Sequence, residues 1–348
     1  MLFTSDNWGR VHPAIFEAMS RVNEGFAPAY GNDPCTEKTR QAFEDVFERR
    51  CHVIFVPTGS AANGLALSAV TPPYGAIIAH EHAHVLIDEC GAPEFYTGGA
   101  KIIPAKGQFG KLTPGTVTEA MAPYDPPMTH RVKPAALSLT QATEWGTVYS
   151  PSEVGALSEI AKGFGLALHM DGARFAGALV ATSAAPADLT WRAGVDLLSL
   201  GGTKNGCLAA EAVVAFTEDH AEALAYRAKR AGLGTSKQRF FSAQWPAYFA
   251  QDLWLELAQT SAAKARKTAK LFADDPHAEL LYEPAINEVF VTMPHDLAEH
   301  LRGAGAQFYD WVQPGDTYAK TARRFVTSWE TTNEQIDDLA NALSSYQP

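Results

Sequence analysis

The sequence predicts an α/β protein: a large domain on a mainly parallel, seven-stranded sheet, followed by a small α+β domain at the C-terminus. Three observations predict it. Short apolar runs alternate with helical patterns from residue 53 to residue 231. Those runs are nearly continuous rather than alternating, which is how strands buried on both faces read. After Asp274-Asp275-Pro276 the pattern changes to closely spaced strands and helices. Alternating strands and helices imply a parallel sheet covered on both faces, and a later run of mixed elements implies a separate α+β unit.

The elements follow in order. Strands are expected at 53–56 (Val-Ile-Phe-Val), 76–80 (Ala-Ile-Ile-Ala-His), 101–104 (Lys-Ile-Ile-Pro), 135–140, 166–170, 195–200 and 212–216. Helices are expected at 13–22, 37–50, 60–70, 151–163 and 218–231. An Ala-rich helical stretch over 240–272 has no Gly and only one Pro, Pro246. The domain boundary falls in that stretch, giving a large domain over 1–245 and a small one over 246–348. In the small domain, 288–292, 307–311 and 324–329 read as strands, and 295–302 and 333–344 as helices.

Composition narrows the function. At 348 residues, 46% hydrophobic and 19% charged, the chain can build a large core. Its net charge of −11 argues against non-specific binding to nucleic acid or to an anionic membrane. No apolar run approaches the roughly 20 residues that span a bilayer. The start, Met1 to Asp6, lacks the basic-then-apolar pattern of a signal peptide. Cys35, Cys51, Cys90 and Cys207 are scattered with no CxxC, as expected of reduced thiols in a cytoplasmic protein.

Two motifs carry the chemistry. The apolar run 166–170 leads into Asp171-Gly172-Ala173-Arg174, and the run 195–200 leads into Gly201-Gly202-Thr203-Lys204-Asn205-Gly206. Asp171 and Lys204 thus both sit just past buried strands, where an open α/β sheet places its ligand. An amine able to form a Schiff base and an acid able to face a pyridinium nitrogen are what pyridoxal phosphate (PLP) requires. Gly201, Gly202 and Gly206 let other groups approach the backbone around Lys204, and Ser199 and Thr203 add hydroxyls. Asp171 also reads as a simple helix cap. Arg174 has the fork that a substrate carboxylate would meet.

Thr58, Gly59 and Ser60 follow a strand and open a helix, so their backbone N–H groups form a phosphate cradle, although the same residues make an ordinary N-cap. His80, His82 and His84 alternate, which on an extended strand suggests a metal site. The apolar part of that strand ends near Ala79 and no further ligand follows at zinc spacing, so no metal is expected. A histidine there instead supplies a flat ring for stacking on a pyridine. Lys237 and Arg239 follow a Gly-rich turn, and Arg324 enters an apolar run that should bury it, which makes Arg324 the better anion binder.

Together these residues resemble the low-specificity L-threonine aldolases, PLP enzymes of the aspartate-aminotransferase fold type I. The resemblance runs nearly the whole chain in order. It includes Thr4-Ser5-Asp6, Tyr30-Gly31-Asn32-Asp33-Pro34, Pro57-Thr58-Gly59, Asp171 to Arg174, Gly201 to Lys204 and Arg324-Phe325-Val326-Thr327. It implies that Lys204 bonds the cofactor, Asp171 partners the pyridinium, and His84 stacks on the ring. It places Thr58, Gly59, Ser60 and Arg174 among the cofactor's neighbours. Ser5, Tyr30, Arg174 and Arg324 would meet the amino-acid substrate, so that the N-terminal segment 1–35 contributes to the site. Lys237 and Arg239 would reach the phosphate of a neighbouring subunit, because the family builds its sites at dimer interfaces and usually forms tetramers.

One departure matters. Many members of that family carry a histidine near the substrate hydroxyl after the strand at 135–140. This chain has Gln141-Ala142-Thr143-Glu144-Trp145-Gly146 there. Glu144 is therefore either a solvated loop residue or a group that handles the β-hydroxyl proton, with Thr143, His82, His84 and water as the other candidates. The activity implied is cleavage of L-threonine, L-allo-threonine and other L-3-hydroxy amino acids to glycine and an aldehyde. Rivals are an aldolase preferring aromatic substrates such as phenylserine, and β-elimination or transamination on the same scaffold. A protein that only binds PLP needs no electron sink, which is the argument from Lys204 and Asp171 for an enzyme.

Overall fold

The computed structural model describes residues 1–311 and 321–348. Seven strands form the main sheet: β1 (His52–Val56), β2 (Gly75–His80), β3 (Lys101–Ala105), β4 (Lys133–Thr140), β5 (Ala167–Gly172), β6 (Leu197–Gly201) and β7 (Glu211–Ala215). Their order is β1-β7-β6-β5-β4-β2-β3. Only β7 runs antiparallel to its neighbours, so the mainly parallel seven-stranded sheet expected from the sequence is the one observed. Every residue of β2, β6 and β7 is buried, which is why those runs carry no polar alternation.

The topology fixes where a site can form. β1, β4, β5 and β6 all end on the same edge of the sheet, and antiparallel β7 begins there. Thr140 pairs with Asp171, Asp171 with Ser199, and Gly201 with Glu211 across that edge. Chemistry-bearing side chains from four strands thus converge although they lie far apart in sequence.

Several helices were not anticipated, including Ala92–Thr97, Pro114–Met121 and Phe175–Thr182. Phe175–Thr182 reads Phe-Ala-Gly-Ala-Leu-Val-Ala-Thr and is apolar on every side, so it has no 3.6-residue period to detect. The long stretch over 240–272 is not one helix. It divides into Arg239–Ser242, Gln244–Phe249 and Leu253–Ala273. Pro246 lies within the first turn of its helix, where a missing N–H is tolerated. The main break comes at Gln251 and Asp252, whose φ angles of 52° and 58° are left-handed.

A second, antiparallel sheet has the order β10-β11-β9-β8, with β8 at Glu279–Leu280, β9 at Glu288–Thr292, β10 at Tyr309–Trp311 and β11 at Ala322–Val326. β9 matches expectation, whereas β10 is shorter and β11 starts and ends earlier. The two-residue β8 carries too little pattern to read. Each sheet has its own hydrophobic core, and helix Leu253–Ala273 serves both. Trp254 and Ala258 belong to the large core, while Ala265, Ala269 and Phe272 belong to the small one. The N-terminus is tied to the small sheet as well. Phe3 is fully buried in its core, and its backbone bonds Gln307 and Val326.

Candidate active site

A cleft of about 280 Å³ opens at the carboxyl edge of the main sheet. Its lining brings together Thr58, Gly59, Ser60, His84, Glu144, Asp171, Arg174 and Lys204, eight of the residues singled out by sequence. Asn7, Asn63, Glu89, Thr140, Thr203 and Glu211 join them.

Asp171 closes β5 and is buried. Its Oδ2 accepts a hydrogen bond from Asn63 Nδ2 at 2.8 Å, and its Oδ1 accepts one from Ala173 N–H at 3.0 Å. The second N–H of the Asn63 amide donates to Glu89 Oε1 at 2.8 Å. That oxygen also meets His84 Nδ1 at 2.9 Å. A hydrogen-bonded chain therefore runs from Asp171 through Asn63 and Glu89 to His84. The bond from Glu89 raises the His84 pKa above the ordinary imidazole value, against the opposing effect of burial, and Asp171 adds to the rise.

Glu144 is buried and is not a solvated loop residue. Its Oε1 accepts from His84 N–H at 2.7 Å and from Thr140 Oγ1 at 2.9 Å, while Oε2 has no partner among the described residues. Burial pushes its pKa up to about 7, only partly offset by those hydrogen bonds. Glu211 opens β7 on the other side of the cleft. Burial likewise pushes it up to about 7, while Thr203 and Lys204 pull the other way.

Lys204 sits on a short turn after β6, held by Asn205, whose amide donates to Tyr248 Oη at 2.7 Å and to Trp254 O at 2.8 Å. The flanking glycines are required sterically. A Cβ on Gly201 would lie 2.9 Å from Ala173 Cα, and Gly206 has a φ of 100°. Ser199 does not line the cleft. It shares a hydrogen bond with His169 Nε2 at 2.9 Å, and His169 Nδ1 meets Ser138 at 2.9 Å. Burial pushes His169 down to about 4, so this imidazole is neutral.

The arginines are already engaged. Arg174 Nε and Nη2 grip Asp6 at 2.8 and 3.0 Å in a two-point fork. Burial opposes the Arg174 charge, but Asp6 and Glu288 outweigh it and raise its pKa. Burial also works against the Asp6 charge, and Arg174 with Lys204 holds that carboxyl below its ordinary value. Arg324 stacks on Trp311, with its guanidinium 4.5 Å from the ring centre, and reaches Glu288 only at 3.6 Å. Burial lowers its pKa, and Glu288 only partly offsets that.

Other expected residues lie outside this cleft. Ser5 caps the turn at Asp6–Trp8 rather than lining the cavity, so its neighbours Asp6 and Asn7 are the ones that face the site. Tyr30 is 57% exposed, with Lys229 over its ring at 4.5 Å. Lys237 is exposed, and Arg239 lies beside Phe240. The three alternating histidines have different partners: His80 meets Gly107 O, His82 accepts from Trp145 Nε1 and His84 meets Glu89. Among the described residues no group of three or more His, Cys, Asp or Glu is placed to hold a metal ion.

Sequence reading missed Asp6, Asn63, Glu89, Glu211 and Glu288 as site residues. Glu211 and Glu288 left a signal, since each is a lone carboxylate opening an apolar strand. Glu89 left none.

The cleft fits PLP. Helix Gly59–Val70 leaves its first N–H groups without partners inside the helix, which suits a phosphate. Asp171 is a buried carboxylate oriented by two hydrogen bonds, and Lys204 faces the same space. Such a donor set matches the phosphate, the pyridine nitrogen and the aldehyde of one molecule.

The beta-eliminating lyase family profile matches residues 3–295. A low specificity L-threonine aldolase of Pseudomonas aeruginosa is 42% identical over 342 residues, covering 98% of this chain and 96% of that one. Another from a Pseudomonas species is 41% identical, covering 97% and 95%. A solved threonine aldolase of Leishmania major superposes with a TM-score of 0.91 at 26% identity, covering 99% of this chain and 98% of that one. An aspartate aminotransferase of Rhodobacter sphaeroides does so at 0.72 with 15% identity, a likeness of fold alone, covering 100% and 94%. The architecture is thus that of the type I PLP enzymes, as expected.

The Asp171–Asn63–Glu89–His84 chain makes a prediction. Glu89→Gln keeps a hydrogen-bond acceptor but removes the charge that favours imidazolium. The His84 titration followed by proton NMR should move to lower pH in that variant. An unmoved titration would show that Glu89 does not set the His84 charge.

Proposed function

The chain belongs to the beta-eliminating lyase family, and we propose that it is a PLP-dependent carbon–carbon lyase that cleaves L-threonine, L-allo-threonine and other L-3-hydroxy amino acids to glycine and an aldehyde. The observation that carries this reading is the convergence of Asp171, Lys204, His84 and Glu144 on one cleft, in a chain 42% identical to a low specificity L-threonine aldolase. Bound there, PLP supplies an electron sink for the pair released at Cα.

The chain's own residues do the rest. Lys204 Nζ anchors the cofactor, and Asp171, oriented by hydrogen bonds from Asn63 and Ala173, keeps the proton on the pyridine nitrogen. The N–H groups at Thr58, Gly59 and Ser60 cradle the phosphate, and His84 supplies the flat ring above the pyridine. Arg174 and Arg324, with the N-terminal segment around Ser5, orient the substrate carboxylate so that the Cα–Cβ bond is the one that breaks. Glu144 Oε2, buried and unpartnered, takes the β-hydroxyl proton. A carboxyl pushed up to about 7 is matched to general-base work near neutral pH.

The working unit is a homo-oligomer with shared sites, at least a dimer and in the full assembly a tetramer. Lys237, Arg239 and Tyr30 lie outside their own chain's cleft, which supports a role for them in a neighbour's site. No helix among the described residues is long and apolar enough to cross a membrane.

Incubation with L-threonine should yield acetaldehyde and glycine in equal amounts. A keto acid in their place would overturn the reading, and faster release of benzaldehyde from phenylserine would favour the aromatic variant. Asp171→Asn should cut turnover on the order of 10³–10⁴-fold, as for other carboxylates that hold a ring tautomer, without loss of folding.

Glu144→Gln should lower kcat for threonine by about 10²–10⁴-fold while glycine, which has no hydroxyl, binds nearly as well. Because the base must be ionised, wild-type kcat should rise with pH through about 7. A wild-type rate in Glu144→Gln would leave water or His84 as the base.

Arg239→Ala and Lys204→Ala proteins, each inactive, should regain partial activity when mixed, through hybrid sites. No rescue despite proven subunit exchange would count against sharing.

A further inference from the structure

Glu288 opens β9 with its side chain fully buried. Among the described residues, neither carboxylate oxygen has a hydrogen-bond partner. Buried carboxylates are ordinarily held by short, direct hydrogen bonds, and one without them is costly to keep charged. What Glu288 has instead is position. Its Oε1 lies 3.5 Å from Arg174 Nη2 and 3.6 Å from Arg324 Nη1. It spans the two guanidinium groups without closing on either. Gly146 leaves room beside it: a Cβ there would lie 3.1 Å from Glu288 Cβ and 3.5 Å from its Oε2.

The charges decide what this arrangement does. Arg174 and Arg324 carry two positive charges, and Asp6 and Glu288 balance them. Asp6 is committed: it takes the Arg174 fork and a further bond from Asn287 Nδ2 at 3.0 Å. An amino-acid carboxylate arriving between the arginines would add an uncompensated negative charge in a buried place, which is strongly unfavourable. Neutralising Glu288 costs least, because it gives up no hydrogen bond.

We propose that Glu288 stands in for the substrate carboxylate between Arg174 and Arg324, and takes up a proton when an amino acid's carboxylate replaces it. This rests on the reading that those two arginines receive the substrate carboxylate. The other groups facing Glu288 are Asp6 from the N-terminal segment, Lys204 from the turn after β6, and Tyr282 from the segment before β9. Burial raises the Glu288 pKa above the ordinary carboxylate value, and Arg174, Arg324 and Lys204 hold it back from rising further. A substrate carboxylate that engages the arginines weakens that restraint, so the carboxyl protonates more readily.

The test uses the holoenzyme with glycine, and with methylamine, which has the amine but no carboxylate. Calorimetry in buffers of different ionisation enthalpy counts the protons taken up on binding. In wild type, glycine should take up as much as about one proton more than methylamine. Glu288→Gln should abolish that excess. For each pH unit above the Glu288 titration, wild-type affinity for glycine should fall about tenfold relative to the variant. An equal proton count for the two ligands in wild type overturns the proposal, even if no variant folds. So does an unchanged excess in Glu288→Gln. Arg324→Gln separates the two possible failures. If it erases glycine's affinity advantage over methylamine, the carboxylate site stands and the proton counts judge Glu288 alone. If it leaves that advantage intact, the site fails and the Glu288 exchange with it.

Discussion

The buried ion pair between Asp6 and Arg174 is the contact on which the rest of the site depends. Asp6 belongs to a segment whose Phe3 is packed in the small core. Arg174 follows β5 of the main sheet. Asn287, which precedes β9, also bonds Asp6. One side chain thus joins the N-terminus, the large sheet and the small sheet at the mouth of the cleft. Breaking such a pair leaves an uncompensated buried charge, typically a loss of about 3–5 kcal/mol.

Around it the protein buries more acid than a stable core would choose. Glu144, Glu211 and Glu288 all lie at or beside the cleft with their pKa values raised, and burial is the leading cause in each case. Asp171 accepts a hydrogen bond at each of its oxygens. That contrast separates two kinds of work. A satisfied carboxylate keeps a fixed charge beside a ring nitrogen. An unsatisfied one, poised near neutrality, can exchange a proton during a reaction.

Glu144, standing where the resemblance leads one to expect an imidazole, is consistent with this division. Glu144 Oε1 is tied to the His84 backbone N–H, so the proposed base and the proposed stacking ring are positioned by the same contact. His84 in turn is linked through Glu89 and Asn63 to Asp171. A change at either end of this network should be felt at the other.

What was legible in the sequence was local. Asp171 follows an apolar run directly and Lys204 follows one after Gly201, Gly202 and Thr203, and a buried parallel strand delivers its end to the ligand edge whatever the rest of the fold does. The glycines around Lys204 pointed to a close approach of other groups, and at Gly201 the group is Ala173. The seven strands were readable because burial on both faces leaves continuous apolar runs. The other half of the site was not readable, because it is made by pairs with no sequence spacing of their own. Asn63 and Asp171 are 108 residues apart, Asp6 and Arg174 are 168 apart, and Asn287 and Asp6 are 281 apart. Sequence showed which side chains were unusual where they stood. Only the packing of two sheets against one long helix decided which of them meet, because the charge of a buried group is set by its neighbours in space.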